Sequence, residues 1–157
     1  KRREQKRIAH QYTLEKKNVE YFKTSVSRLT GSLDDLADNI NLPDKGVYML
    51  GKFKKTSFPM QAVKLNRLWE GGKLVLSYGD YIYRPPFEWL TFIEDLPKEL
   101  WLPVEDYPRP TCPTLLLCDY KGHYEVVEYA HKTWITELCF PVKPTRYFVL
   151  DFLDKEK

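Results

Sequence analysis

Residues 114–135 read TLLLCDYKGHYEVVEYAHKTWI. Three runs rich in apolar, β-branched and aromatic side chains, at 114–118, 124–129 and 133–135, alternate with short polar segments. Between the first two runs, Tyr120-Lys121-Gly122-His123 provides the glycine-containing turn that a hairpin requires. This stretch therefore predicts a meander of antiparallel strands.

The same alternation of strand-like runs and turn residues continues on both sides of this stretch. Further strand-like runs lie between Gly, Pro and Asp residues at 47–50, 73–78, 81–83, 89–93 and 147–150, and a second glycine turn lies at 70–73. Twenty of the 23 aromatic residues occur from Val47 onward, as strands packed by large flat side chains predict. We expect a β-rich body.

A weak internal repeat appears when residues 86–92 are aligned with residues 144–150. In both copies a proline introduces a final aromatic strand that follows a hairpin-like stretch. The proline-rich segment 107–113 favours extended backbone and suits a linker. We therefore predict two similar small antiparallel sheets, a first β module at 46–106 and a second at 107–157, although any two meanders of this size can be aligned.

The second copy resembles a family of short domains of unknown function that are common in phage and prophage genomes. The likeness covers residues 115–120, 124–129, Trp134 and 144–150. In that family the chain closes with Pro-Thr-His-Trp-Met-Pro-Leu-Pro, whereas here Arg146 and Tyr147 replace His-Trp and the trailing proline is missing. The resemblance implies a mobile-element origin and no particular activity.

The first 42 residues have a helical pattern. Apolar side chains alternate at spacings of four and three, with Glu15 interrupting them: Ile8, Tyr12, Val19, Phe22, Val26, Leu29, Leu33, Leu36 and Ile40. This pattern predicts a helix over residues 2–29, a break at 30–32, and a short helix that Ser32 and Asp35 cap. The fold class is α+β, with a basic helical segment at 1–42 before the β body.

The apolar stripe has two interpretations. It packs the helix on the β body as core, or it forms a self-associating coiled coil, which Glu15 at a seam position weakens. We favour packing from Val19 onward and a projecting first half.

Charge is distributed unevenly along the chain. Residues 1–28 hold nine Lys or Arg and three acids, so a segment of +6 precedes a body of −3. Positive charge at a helix amino terminus opposes the macrodipole and so does not serve helix stability. Arg2, Arg3, Lys6 and Arg7 are therefore the predicted binding residues for nucleic acid or an acidic partner, the alternative being an ordinary solvated helix start.

Two further sites are possible. Trp69, Tyr81, Tyr83 and Trp89 form a candidate aromatic face for protein binding if they are exposed, whereas in most small β domains such residues are core. Residues 33–50 resemble a helix-turn-helix, although the would-be recognition helix contains Val47-Tyr48-Met49-Leu50, which favours a strand.

Composition and spacing give no sign of catalytic or cofactor chemistry. Three cysteines are an odd, sparse set for a disulfide framework. Cys112, Cys118, His123, His131 and Cys139 lack the tight pair of a structural zinc site, and Cys118 continues an apolar strand as a small core residue. No glycine-rich phosphate loop is present. We predict no metal, cofactor or catalytic residue, with an enzyme of dispersed catalytic residues left as an alternative.

The functional expectation is a non-enzymatic interaction or adaptor protein of phage or mobile-element type, with inhibition of the partner as one such role. Its basic helix and aromatic face would bind a protein or nucleoprotein partner. A DNA-binding regulator that uses residues 33–50 is the alternative. No apolar run approaches the length of a membrane span, so we expect no membrane partner and a cytosolic or nuclear location.

Overall fold

The computed structural model describes residues 2–54, 56, 58–68 and 71–153. The chain divides into two compact units, a middle unit of residues 27–96 and a terminal unit made from residues 1–26 and 97–157. This division differs from the predicted segments, because the first helix belongs with the second sheet and residues 97–106 do so as well. Each unit is built around its own sheet.

The middle unit begins with the short helix α2 (Leu33–Ala37), where Ser32 and Asp35 form the predicted capping box. Five strands follow, β1 (Val47–Phe53), β2 (Gln61–Arg67), β3 (Leu74–Tyr78), β4 (Tyr81–Tyr83) and β5 (Phe87–Phe92). They form an antiparallel sheet in the order β4-β3-β2-β1-β5. Leu29 extends the sheet beyond β5 by pairing with Leu90.

One face of this sheet carries the core of the middle unit. Fully buried side chains of β1, β2, β3 and β5, among them Met49, Leu65, Leu76 and Leu90, pack with Leu33 of α2. Leu29, Leu36 and Ile40, members of the predicted helical stripe, are partly buried against the same cluster. The second half of the stripe therefore serves as core and not as a coiled-coil surface.

The terminal unit begins with the helix α1 (Arg2–Thr24), and its six strands come after the middle unit in the chain. They are β6 (Leu102–Pro103), β7 (Thr114–Tyr120), β8 (His123–Ala130), β9 (Thr133–Thr136), β10 (Pro141–Val142) and β11 (Arg146–Phe152). The antiparallel order is β10-β9-β8-β7-β11-β6. Val19 of α1 packs on the face that carries Leu116, Cys118, Tyr147 and Val149, which confirms Cys118 as a core residue.

The two sheets are connected in the same way. In the middle unit β1 to β4 form a meander, β5 pairs with β1, and Leu29 pairs with the outer edge of β5. In the terminal unit β7 to β10 form a meander, β11 pairs with β7, and β6 pairs with the outer edge of β11. Two similar antiparallel sheets are therefore confirmed. The residue alignment is out of phase by one residue, because it places Leu90, which faces the core cluster of its unit, on Phe148, whereas Tyr147 and Val149 face the corresponding cluster of the terminal unit.

Three expectations need correction. α1 ends at Thr24 and not near residue 29, because Leu29 exchanges two backbone hydrogen bonds with Leu90 and is extended. The helix-turn-helix prediction is wrong, since residues 47–50 belong to β1. The proline-rich segment 107–113 is not a free linker but part of the terminal unit, bonded to α1 as described below.

Candidate functional site

The side chains of α1 change from fully exposed to partly buried at Gln11. Every residue from Arg2 to His10 is exposed, whereas the buried residues of the helix are Gln11, Glu15, Asn18, Val19 and Phe22. Their spacings of three, four and one place them on one side of the helix. The helix is thus held from its third turn onward, earlier than the expected start at Val19, and its first two turns are exposed.

The buried face of α1 is polar over its first half. Ile8 and Tyr12, the predicted apolar positions, are each 43% exposed, while Glu15 and Asn18 are completely buried. Buried polar groups need hydrogen-bond partners to offset the loss of water. Those partners lie in the proline-rich segment, in β11 and at Leu100 before β6.

Glu15 binds Thr111. Its carboxylate accepts the Thr111 backbone N–H at 3.0 Å and the Thr111 hydroxyl, and it also accepts Nε2 of Gln11 at 3.1 Å. Burial raises the pKa of Glu15, and the hydrogen bonds from Thr111 and Gln11 oppose that increase.

Gln11 and Tyr147 hold the beginning of the same segment. Gln11 Nε2 lies 2.7 Å from the Arg109 carbonyl and 3.0 Å from the Tyr147 hydroxyl, so its two hydrogens are shared among these acceptors and Glu15. The Tyr147 hydroxyl donates to the Tyr107 carbonyl at 2.9 Å. Burial is the main cause that raises the pKa of Tyr147, so the phenol stays protonated and remains a donor. Prolines lack the N–H that a sheet ladder needs, and side chains therefore satisfy the backbone here.

Asn18 fixes the helix to the sheet. Its amide donates to the Leu100 carbonyl at 2.6 Å, and its Oδ1 accepts the Val149 N–H at 2.9 Å. These two bonds join α1 to β11 and to the turn that precedes β6.

The exposed start of α1 carries the predicted cationic residues. Arg2, Arg3, Lys6 and Arg7 are all exposed, and spacings of three and four residues place Arg3, Lys6 and Arg7 side by side. We call these four residues the basic end of α1. All four lie in the first two turns of α1, and their role in binding stays a prediction.

A shallow groove runs along the exposed turns of α1, on the side of the helix opposite Arg3, Lys6 and Arg7. Its lining comes from one side of α1 and from the proline-rich segment, it holds about 420 Å³, and its residues are Gln5, Ile8, Ala9, Tyr12, Thr111 and Cys112. The groove is mostly apolar. Burial raises the pKa of the Cys112 thiol, and the nearby Glu15 charge acts in the same direction, so this thiol is not activated as a nucleophile.

The predicted aromatic face is not one surface. Tyr81 and Tyr83 lie together on β4, with ring centroids 4.9 Å apart. Trp89 lies on β5 at the far side of the sheet order, and it points to the opposite face because its neighbour Leu90 points into the core. There the Arg28 guanidinium stacks on the Trp89 ring at 4.7 Å. Trp69 is outside the described residues.

Sequence reasoning missed Gln11, Asn18 and Thr111. Polar residues are exposed by default, so only their spacing offered a signal: Gln11, Glu15 and Asn18 repeat at intervals of four and three, in phase with one helix face. The partner Thr111 is 96 residues from Glu15 in the chain, and no local pattern points to it.

Among the described residues, no group of three or more His, Cys, Asp or Glu side chains is placed to hold a metal ion. Over the same residues, none of the helices combines the length and the apolar character needed to cross a membrane. Comparison of the chain with family models, with curated proteins and with solved structures finds no match.

Proposed function

We propose that the protein is a non-enzymatic interaction module of phage or mobile-element type, which binds a protein or nucleoprotein partner through the basic end of α1. One observation supports this above all: α1 is anchored by buried hydrogen bonds from Gln11 onward, while residues 2–10 are exposed. An anchored helix presents its exposed turns in a fixed orientation, which lowers the entropic cost of binding. The mobile-element origin rests on the resemblance of residues 115–150.

The chemistry of the surface favours an acidic protein patch with apolar side chains. Arg3, Lys6 and Arg7 supply the positive charge, and Ile8 and Tyr12 continue the same helix with apolar surface at the groove. Nucleic acid would use the charge and leave the groove unfilled. A protein partner with acidic and large apolar residues that contacts both sides of the exposed turns would use both.

The test is selection from a library of random 16-residue peptides with the full chain as bait. We expect enriched peptides to be rich in Asp and Glu and to contain large apolar residues. Surface ion pairs contribute about 0.2–1 kcal/mol each. The combined Arg2→Gln, Arg3→Gln, Lys6→Gln and Arg7→Gln variant should therefore bind the best peptide about tenfold more weakly, because 1.4 kcal/mol corresponds to a factor of ten.

The matched control removes the same charge elsewhere. Lys45, Lys98, Lys132 and Lys143 are exposed, and their combined replacement by Gln should leave peptide affinity nearly unchanged. Equal losses in the two variants would show that net charge alone causes binding. Tighter binding of a 20-base-pair duplex than of any peptide, through the same four residues, would show that the partner is nucleic acid and that the protein-patch proposal is wrong.

A further inference from the structure

The strand β4 ends the sheet of the middle unit, and its side chains are unusually exposed for an apolar segment. Tyr81 is 66% exposed and Ile82 is 58% exposed. A sheet edge with apolar side chains is a template for pairing with another strand. The chemistry of this edge indicates which strand it fits.

The backbone of Ile82 points away from the sheet. β3 and β4 are joined by the two-residue turn Gly79-Asp80, with Tyr78 opposite Tyr81, Ser77 opposite Ile82 and Leu76 opposite Tyr83. In such a turn the Tyr81 N–H bonds back to the Tyr78 carbonyl. Because hydrogen-bonded and non-hydrogen-bonded pairs alternate in an antiparallel ladder, the N–H and C=O of Ile82 face outward.

The sequence of the edge is complementary to itself. Residues 80–84 read Asp-Tyr-Ile-Tyr-Arg. If a second copy of the strand runs antiparallel about a two-fold axis at Ile82, then Ile82 meets Ile82, Tyr81 meets Tyr83, and Asp80 meets Arg84. Both hydrogen-bond groups of Ile82 are then paired, aromatic residues face each other, and each acid lies opposite a base.

The local structure prepares this arrangement. The rings of Tyr81 and Tyr83 already lie together on one face, and Phe53 supports Tyr83 at 6.5 Å. The Arg84 guanidinium donates to the Leu74 carbonyl at 2.9 Å and pairs with Asp34 of its own chain, so Asp80 of the other copy would add a second acid beside it. Pro85 and Pro86 follow, and since proline cannot continue a ladder, the contact is limited to five residues.

We propose that β4 is a homodimerisation edge, at which two copies of this chain join their five-stranded sheets through antiparallel pairing centred on Ile82. The interface is isologous and closes on itself, so it yields a dimer and not a fibre. It is small, and small interfaces are typical of transient association. Dimerisation here is independent of the basic end of α1.

The test is sedimentation velocity of the full chain from 1 to 300 μM. We expect a reversible monomer–dimer equilibrium within this concentration range, because small interfaces are typical of transient association. Asp80→Lys should weaken the dimer at least fivefold, because each introduced lysine meets Arg84 of the other copy. Arg84→Glu should weaken it similarly, because each introduced glutamate meets Asp80; it also removes the exposed Arg84–Asp34 ion pair within each copy, which the D80K variant keeps.

The decisive measurement is the mixture of the two variants. Pairing D80K with R84E restores opposite charges at both ends of the interface, so the mixed dimer should form at near wild-type concentration although neither variant dimerises well alone. That recovery also shows that both variants are folded. Ile82→Pro removes the outward N–H, which β3 does not use, and should abolish the dimer in every combination.

Three results would overturn the proposal. They are sedimentation of the chain as a monomer at 300 μM, failure of the two variants to recover on mixing, and an intact dimer in I82P. In the last case association runs through another surface, such as the exposed Ile8 and Tyr12 of α1. The Arg2→Gln, Arg3→Gln, Lys6→Gln, Arg7→Gln variant should dimerise normally, which separates this proposal from the partner-binding function.

Discussion

Glu15 places a carboxylate in a fully buried position of the terminal unit, where the Thr111 N–H and hydroxyl and the Gln11 amide surround it. Replacement by alanine would leave the Thr111 N–H without its acceptor. A buried donor that loses its partner costs about 1–3 kcal/mol. We therefore expect Glu15→Ala to lower the free energy of unfolding by about that amount, as measured by urea denaturation.

Glu15 also makes stability depend on pH in a direction that is unusual for a carboxylate. Its pKa is raised in the folded protein, mainly by burial. The folded state therefore holds this proton more tightly than the unfolded state does, and its stabilising effect is full below the unfolded pKa and is lost as pH rises through the folded pKa.

We expect the free energy of unfolding of the wild type to fall, relative to that of Glu15→Gln, as pH rises from about 4 to 7. Urea denaturation of both proteins across this range measures the difference, and titration of the other carboxylates cancels in it. A difference that is constant with pH, or that grows in favour of the wild type, would contradict the raised pKa.

Asn18 illustrates a second kind of residue, one that both donates and accepts. It donates to the Leu100 carbonyl and accepts from the Val149 N–H. Asn18→Asp keeps the acceptor but places a charge against the Leu100 carbonyl, so we expect it to destabilise the protein by at least the roughly 1–3 kcal/mol of Asn18→Ala. Asn41→Ala, at an exposed position, is the matched control and should change stability by less than about 0.5 kcal/mol.

At the scale of elements, the connection into β1 depends on Gly46. Its φ is +76°, and a Cβ built there would lie 2.6 Å from the Leu65 carbonyl oxygen of β2 and 1.9 Å from Asn66 Oδ1. The carbonyl belongs to a paired strand and cannot move aside. Gly71 also has a positive φ, but a Cβ there meets nothing within 4 Å.

Gly46→Ala should therefore be clearly more destabilising than Gly71→Ala. The second variant carries only the backbone cost of about 1–2 kcal/mol, whereas the first adds a steric clash with the backbone of β2. Thermal denaturation of the two variants measures the contrast. Equal shifts in Tm would mean that β1 and β2 separate easily at this end.

The strands that the sequence predicted correctly are those with a strong local signal. β7, β8 and β9 consist largely of apolar, β-branched and aromatic residues between turns, and the turn at Lys121-Gly122 takes positive φ at both residues, as a tight hairpin requires. β2 was missed because Gln61, Lys64, Asn66 and Arg67 interrupt Ala62, Val63 and Leu65. Pairing with β1 and β3 on both sides, and not propensity, makes this segment a strand.

The candidate site was predictable only in its exposed part. Charge is visible in a sequence, so Arg2, Arg3, Lys6 and Arg7 could be identified as a group on a helix. The buried contacts could not, because Gln11 and Glu15 meet a segment nearly one hundred residues away. The prediction of a single aromatic face was wrong for a related reason. Alternation determines which side chains share a face within one strand, but whether side chains of β4 and β5 share a face depends on the register of the strands between them.

For the whole molecule, the two units have separate core clusters. Leu65 belongs to the cluster of the middle unit and Leu116 to that of the terminal unit, and both side chains are completely buried. Truncation of a buried leucine to alanine costs about 2–5 kcal/mol. Local opening follows the stability of the surrounding cooperative unit, so each cavity should act mainly within its own unit.

Hydrogen exchange with mass spectrometry on the full chain tests this expectation. Leu65→Ala should speed amide exchange in β1, β2, β3 and β5 and leave β7, β8 and β11 close to wild-type rates, and Leu116→Ala should give the reverse pattern. Each variant is the control for the other, because the chemical change is the same. If either variant speeds amide exchange equally in both units, the chain unfolds as one cooperative body, and the stabilities of its two cores change together.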